Sequence, residues 1–207
     1  VSFTPGGVAR NIAHNLAMLG VNTALISVIG NDAPGEIVVK ATGDAGVDLS
    51  MALRSDAATG AYVAVLDEVG ELISAVNDMR ILESLTPDHL DKHKASLAAA
   101  KYIVVDCNVS IEVLEGLALQ YGEKLIVEPV SVTKSQKLKA VLEKHEVFLA
   151  TPNREQLAAL GDDLHRRGLR NLVIHLGKEG SLASTVGTKQ RIPSFATSHV
   201  RDVTGAG

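Results

Sequence analysis

Four short apolar runs in the second half of the chain, Tyr102 to Val105, Leu125 to Val127, Val147 to Ala150 and Leu172 to Leu176, each stop at a cluster of small or polar residues. Runs of this length, rich in Val, Ile and Leu with no polar face, suit strands covered on both sides in a parallel sheet. Helical patterns fall between them. Ser110 caps one through Val113, Leu114, Leu117 and Tyr121, closed by Gly122, and a second covers about 135–144. The first half starts with the same alternation. Residues 8–20 carry Ile12, Leu16 and Leu19 at helical spacing and stop at Gly20. Val21 to Ile29 reads as a buried strand ending at Gly30, and Pro34 opens a helix over about 35–45. Strand and helix in turn predict an α/β chain with a mostly parallel sheet.

The alternation breaks once. Thr59 to Leu66 and Leu72 to Val76 flank Asp67-Glu68-Val69-Gly70-Glu71, which predicts an antiparallel hairpin over about 59–77. Its two faces are both fairly apolar, so the hairpin is expected to be covered as a flap over a site or as a dimer contact. A helix start returns at Thr86-Pro87-Asp88. In an open parallel sheet, ligands bind at the carboxyl ends of strands, and Asp106, Asn108, Glu128, Asn153 and Gly177 all fall there.

Composition excludes several function classes. The 207 residues suffice for one α/β domain, and neither a linker nor an internal repeat marks a second, so 1–207 is read as one domain. A formal net charge of -4 gives no support to nucleic-acid binding. Aromatic residues make up 3% and Trp is absent, which argues against a platform for base stacking. No apolar run is long enough for a membrane span, and no signal peptide is visible. The single Cys107 excludes an internal disulfide and fits a reducing compartment, so a cytoplasmic location is expected.

Two glycine motifs frame the chain. Pro5-Gly6-Gly7-Val8-Ala9-Arg10-Asn11 precedes the first helix, and Asp202-Val203-Thr204-Gly205-Ala206-Gly207 closes the sequence. Glycines let backbone N–H groups approach a ligand, and a following helix would add its positive end for a phosphate. With Ala13, Gly20 and Gly30 at the family's spacing, the two motifs resemble the signatures of the ribokinase-like carbohydrate kinases, the PfkB family. Gly6 to Ala13 and Glu128-Pro129-Val130-Ser131-Val132-Thr133-Lys134 are most similar to its pseudouridine-kinase branch. The resemblance implies a ribokinase-like three-layer α/β/α core with a small β lid, and transfer of the ATP γ-phosphate to a hydroxyl of a sugar or nucleoside, pseudouridine first. It places Gly6, Gly7, Asn11 and Asn108 at the acceptor, and Asn153, Gly177 and Gly180 at the nucleotide and Mg²⁺. Gly205, Ala206 and Gly207 would form the anion hole, with the general-base Asp beyond the last residue. Asp202 and Thr204 would help hold a monovalent cation, K⁺. The partners implied are a small-molecule acceptor and ATP, with neither nucleic acid nor membrane, and a homodimer through the lid.

The sequence also departs from the family pattern. The usual Asn-x-x-Glu is Asn153-Arg154-Glu155-Gln156, and the stretch from Gly161 to Gly168 is short, as if part of a helix were deleted. The first core strand and the adenine-binding part are not in the sequence, so residues 1–207 alone are expected to turn over poorly. Other readings stay open: a ribokinase or fructokinase, a non-catalytic sugar-binding homologue, or a nicotinamide enzyme, the last disfavoured because no Gly-x-Gly-x-x-Gly follows a first strand. Asn153 with Gln156 also reads as a capping box, which is compatible with a place near the metal. His89 and His93 share a predicted helix face and read as solvated rather than as zinc ligands. Cys107 and His175 read as structural, and Arg166, Arg167 and Arg170 as a solvated edge.

Overall fold

The computed structural model describes residues 4–66 and 72–195. The closing motif, with Asp202, Thr204, Gly205, Ala206 and Gly207, lies outside the described residues. The chain divides into two compact units, Val1–Leu90 and Asp91–Gly207.

In the first unit, α1 (Val8–Met18) leads to β1 (Val28–Gly30), α2 (Ala33–Asp44) and β2 (Leu53–Ser55), and β1 and β2 pair in parallel. Helix α1 buries Ala13 against Leu25 and Val47, with Ala9, Ala17 and Leu49 around them. It stops two residues before the predicted end, and Gly20 turns the chain with φ +80°. The strand expected over 21–29 shrinks to Val28–Gly30, preceded by an isolated bridge from Ala24 to Asp48. The Thr23 hydroxyl donates to the Val21 carbonyl, a local bond that competes with a ladder, and Val21 itself is exposed.

β3 (Ala61–Leu66) and β4 (Leu72–Asp78) form the predicted antiparallel hairpin, in register from Ala61 opposite Asp78 to Val65 opposite Ser74. Among the described residues the hairpin is a two-stranded sheet of its own, hydrogen-bonded into neither of the other sheets. The expectation that both faces are covered does not hold within the chain. Val63 and Val76, opposite each other, are 58% and 68% exposed, and Tyr62 and Ile73 are exposed too.

The second unit holds α4 (Lys94–Ala99), β5 (Ile103–Asp106), α5 (Ile111–Tyr121), β6 (Leu125–Glu128), α6 (Val132–Val141), β7 (Val147–Ala150), α7 (Arg154–Leu160), β8 (Leu169–His175), β9 (Ser181–Thr185) and β10 (Thr188–Ile192). A further short helix, α3 (Pro87–Asp91), lies at the boundary of the two units. The sheet order is β10-β9-β8-β7-β6-β5, parallel from β5 to β8 and antiparallel at the β9–β10 edge. Val113, Leu114, Leu125, Val127, Leu138, Val141, Val147 and Leu160 are almost completely buried and make the core between sheet and helices. Such a dry sheet is what the continuous apolar runs require. The Lys124 ammonium donates to the carbonyls of Leu97, Ala98 and Ala100, so a cation closes the negative end of α4.

Two sequence expectations change here. His89 and His93 do not share a helix, because a turn interrupts the helix between Asp91 and Lys94. His93 becomes the N-terminal cap residue of α4, and the His89 ring lies 3.4 Å from the Met51 carbonyl. No group of three His, Cys, Asp or Glu side chains suited to a metal exists among the described residues. The short stretch after Gly161 is a turn held from both sides. His165 bridges β8 and β9 by contacts to the Leu169 carbonyl and the Ser184 hydroxyl. Arg167 donates to the carbonyls of Leu160 and Lys139, which takes it out of the predicted solvated edge.

Candidate functional site

At the carboxyl edge of the parallel strands one local plan recurs three times. A strand ends in an acidic or small residue, a short loop follows, and a Ser or Asn caps the next helix. The Ser110 hydroxyl accepts from the Val113 N–H, Ser131 from Lys134, and the Asn153 carbonyl oxygen from Gln156. These caps fix three helix N-termini on one edge of the sheet, where backbone N–H groups and helix dipoles favour anions.

The side chains between the caps are tied together. Asp106 and Glu128 are opposite each other in the β5–β6 register. The Asp106 carboxylate accepts from the Asn108 N–H at 2.9 Å and is 7% exposed. Glu128 is fully engaged: one oxygen accepts from the Val130 N–H at 3.1 Å, the other from the Thr151 hydroxyl at 2.5 Å. Those bonds hold Val130 at φ +67°, an uncommon conformation for a β-branched residue. Glu128 therefore shapes the loop that starts α6.

Helix α6 reaches back over the β5 loop with two lysines. Lys134 donates to the Asn108 side-chain oxygen, and Lys137 to the carbonyls of Cys107 and Val109 at 3.1 and 2.6 Å. With its oxygen accepting from Lys134, the donor that the Asn108 amide carries is its N–H₂. Sequence reasoning gave neither lysine a role. Their spacing of three along a helix, just after a Ser cap, was the available signal.

Asn153 and Gln156 make a complete capping box, with both bonds at 2.9 Å. Gln156 is buried, so Gln in place of the family's Glu completes a neutral cap here. Asn153 also bridges to His175, whose N–H donates to the Pro152 carbonyl, the structural use expected for that strand. Gly177 has φ +58° and open space where a side chain would start, so the backbone there is accessible. Gly180 differs. A Cβ there would stand 2.1 Å from the Ile192 carbonyl oxygen, so this glycine admits the chain leaving β10. Beside it Glu179 pairs with Arg154 and Arg191, and those bonds, Arg191's first, lower its pKa.

In the first unit, Gly6 and Gly7 are exposed ahead of α1. Gly7 has φ +98°, which favours glycine, and its carbonyl receives the Asn11 N–H. Asn11 is exposed in the first turn, and its side-chain oxygen accepts from Arg10 at 3.0 Å. Arg10 also donates to the buried Thr42 hydroxyl of α2 and lies 3.0 Å from the His14 ring nitrogen. A second cluster escaped the sequence reading. The Asp32 carboxylate, the cap of α2, accepts from the Gly35 N–H, the Thr59 N–H and the Thr59 hydroxyl. These bonds, the Thr59 hydroxyl first, hold its pKa below the ordinary carboxylate range.

Cys107 is wholly buried, and burial pushes its thiol up to about 12. The thiolate is the reactive form, so a maleimide or disulfide reagent at pH 8 should leave the native protein unlabelled and react once it is unfolded. Stoichiometric labelling of the native state would contradict this packing.

The whole chain, residues 1–207, matches the pfkB family carbohydrate kinases. It is 33% identical over its full length to the pseudouridine kinase of Escherichia coli K12, spanning 71% of that protein. It is 32% identical to the pseudouridine kinase of Arabidopsis thaliana, with 82% of this chain and 45% of that protein covered. The chain thus spans less than half of the second relative. Among solved structures, the A. thaliana ribokinase complexed with ribose and ATP superposes with a TM-score of 0.82 at 20% identity, covering 97% of this chain and 70% of that one. That likeness establishes a ribokinase-like α/β fold.

Proposed function

The chain belongs to the pfkB family of carbohydrate kinases, and from that premise we propose that the protein transfers a phosphoryl group from ATP to a hydroxyl of pseudouridine. The observation that carries this reading is the full-length likeness to a pseudouridine kinase, which includes the Gly6-to-Ala13 and Glu128-to-Lys134 segments.

In this reading Gly6, Gly7 and Asn11 bind acceptor hydroxyls. The backbone at two glycines comes close, and Asn11 adds a side-chain N–H₂ whose partner oxygen is held by Arg10. Asn108, oriented by Lys134, supplies a second polar contact for the acceptor. Asn153 and Gly177 flank the nucleotide phosphates, and the accessible backbone at Gly177 fits a group with negative oxygens. Gly180 serves that region by fixing the chain after β10. When bound, Mg²⁺ neutralises charge on the transferred phosphoryl group. Asn153 would lie near the metal, and the helix N-termini on the capped edge of the sheet would add to that neutralisation by favouring phosphate oxygens. Gly205, Ala206 and Gly207 are assigned to the anion hole and Asp202 and Thr204 to a monovalent cation.

Side-by-side phosphorylation of pseudouridine, uridine, ribose and fructose by the full-length protein with ATP and Mg²⁺ tests the proposal. The expected result is a kcat/KM for pseudouridine at least about tenfold above the others, the discrimination a few buried polar contacts supply. Preference for free ribose or fructose would overturn the assigned acceptor and leave the family unchanged.

A further inference from the structure

We propose that Asp32 and Thr59 form a latch that positions the β3–β4 hairpin for binding of the acceptor; this deepens the kinase reading above and rests on it. Neither residue touches the groups assigned to the acceptor, so both are positioning residues.

The geometry is a closed circuit at the root of the hairpin. Thr59 stands two residues before β3 begins at Ala61. Its hydroxyl donates to one Asp32 oxygen at 2.5 Å and accepts from the Gly30 N–H at 3.0 Å. Its own N–H donates to the other Asp32 oxygen at 2.8 Å. Asp32 in turn accepts from Gly35 at 2.8 Å and caps α2. One threonine therefore joins the end of β1, the start of α2 and the entry to the hairpin. The fit excludes side chains. A Cβ on Gly30 would lie 2.7 Å from both the Ala57 carbonyl and the Thr59 nitrogen, and one on Gly35 2.2 Å from the Gly30 carbonyl.

The hairpin needs such an anchor. Among the described residues its strands pair only with each other, and Val63, Val65 and Val76 are exposed, so core packing does little to fix it. Helix α2 carries the constraint onward. At its far end Thr42 accepts from Arg10, and the same guanidinium holds the Asn11 oxygen. The hairpin root and the residue assigned to the acceptor hydroxyls are thus fixed to opposite ends of one helix. Charge-assisted hydrogen bonds to a carboxylate are stronger than neutral ones, which suits a fixed joint.

Thr59→Val tests the latch, because it keeps the β-branched shape and removes only the hydroxyl. The hydroxyl's bonds to Asp32 and from the Gly30 N–H are both lost, and the expected result is a rise of about tenfold in KM for the acceptor with KM for ATP unmoved, the size of the bond to the charged Asp32. Amide hydrogen exchange in 61–66 and 72–78 should speed up by a similar factor, while α1 and the β5–β8 sheet keep their protection. Thr59→Ser, which retains the hydroxyl, should restore both, and Asp32→Asn should resemble Thr59→Val. A merely structural role predicts a lower melting temperature with acceptor KM and hairpin exchange unchanged, and that outcome would overturn the proposal. Should the full-length protein, with the latch residues unmodified, phosphorylate none of pseudouridine, uridine, ribose and fructose, the functional reading fails. The exchange data then decide the latch alone: loss confined to the hairpin supports it, and no loss sinks it.

Discussion

Replacing Gly35 by alanine is expected to lower the melting temperature by roughly 6–12 °C, a large effect for one methyl group in a chain of this size. The added Cβ would stand 2.2 Å from the Gly30 carbonyl oxygen, 2.8 Å from the Thr59 hydroxyl and 3.0 Å from the Asp32 carboxylate. The nearest of these atoms is backbone at the end of β1, and the other two belong to the Asp32–Thr59 joint, so none can rotate away without breaking a hydrogen bond. Overpacking costs about 1–3 kcal/mol and occasionally more, and this site belongs at the upper end. Gly43 lies in the same helix with nothing within 4 Å of its Cβ position. Gly43→Ala should therefore be neutral or stabilising by up to about 1 kcal/mol, since alanine is the better helix former. Thermal melts of the two variants beside the parent make the comparison. Equal behaviour of Gly35→Ala and Gly43→Ala would mean that the junction of β1, α2 and Thr59 is looser than its geometry.

What could be read from the sequence divides along a physical line. The strands of the parallel sheet are continuous apolar runs, and β5, β6 and β7 lie within one residue of the predicted spans. Burial on both faces leaves no competing pattern there. The capping box at Asn153 was legible for the same reason, since its partners are three residues apart. The strand before Gly30 was overextended because apolar content continues upstream of the point where a partner strand exists. Edge strand β10, Thr188–Ile192, was missed because all its residues are exposed and only pairing with β9 makes it a strand. The latch was hidden by sequence distance. Asp32 before Ala-Pro-Gly signals a helix cap, but its second partner is 27 residues away. Lys134 and Asn108 are 26 apart, and only the β5–β6 pairing brings α6 over the first loop.

Asn11 is where the proposed function meets a single side chain, and Asn11→Ala is expected to reduce kcat/KM for the acceptor by about 10- to 100-fold, as losing hydrogen bonds to a bound polar ligand does. The residue is exposed in the first turn of α1, beside the positive end of that helix. Its oxygen is held by Arg10 at 3.0 Å, so the amide N–H₂ is the group left to donate to a hydroxyl oxygen. Since the side chain packs against no core, stability should change by less than about 0.5 kcal/mol. Asn11→Asp sharpens the test. It keeps the acceptor that Arg10 holds and removes the donor, so it should lose about as much activity as the alanine variant while Arg10 stays in place. KM for ATP should be unchanged in both, because the nucleotide is assigned to residues of the second unit. Steady-state kinetics with each substrate varied in turn separates these effects. If Asn11→Ala retains kcat/KM within twofold while Gly7→Ala abolishes it, acceptor recognition rests on the glycine backbone, and the side chain serves only to set Arg10.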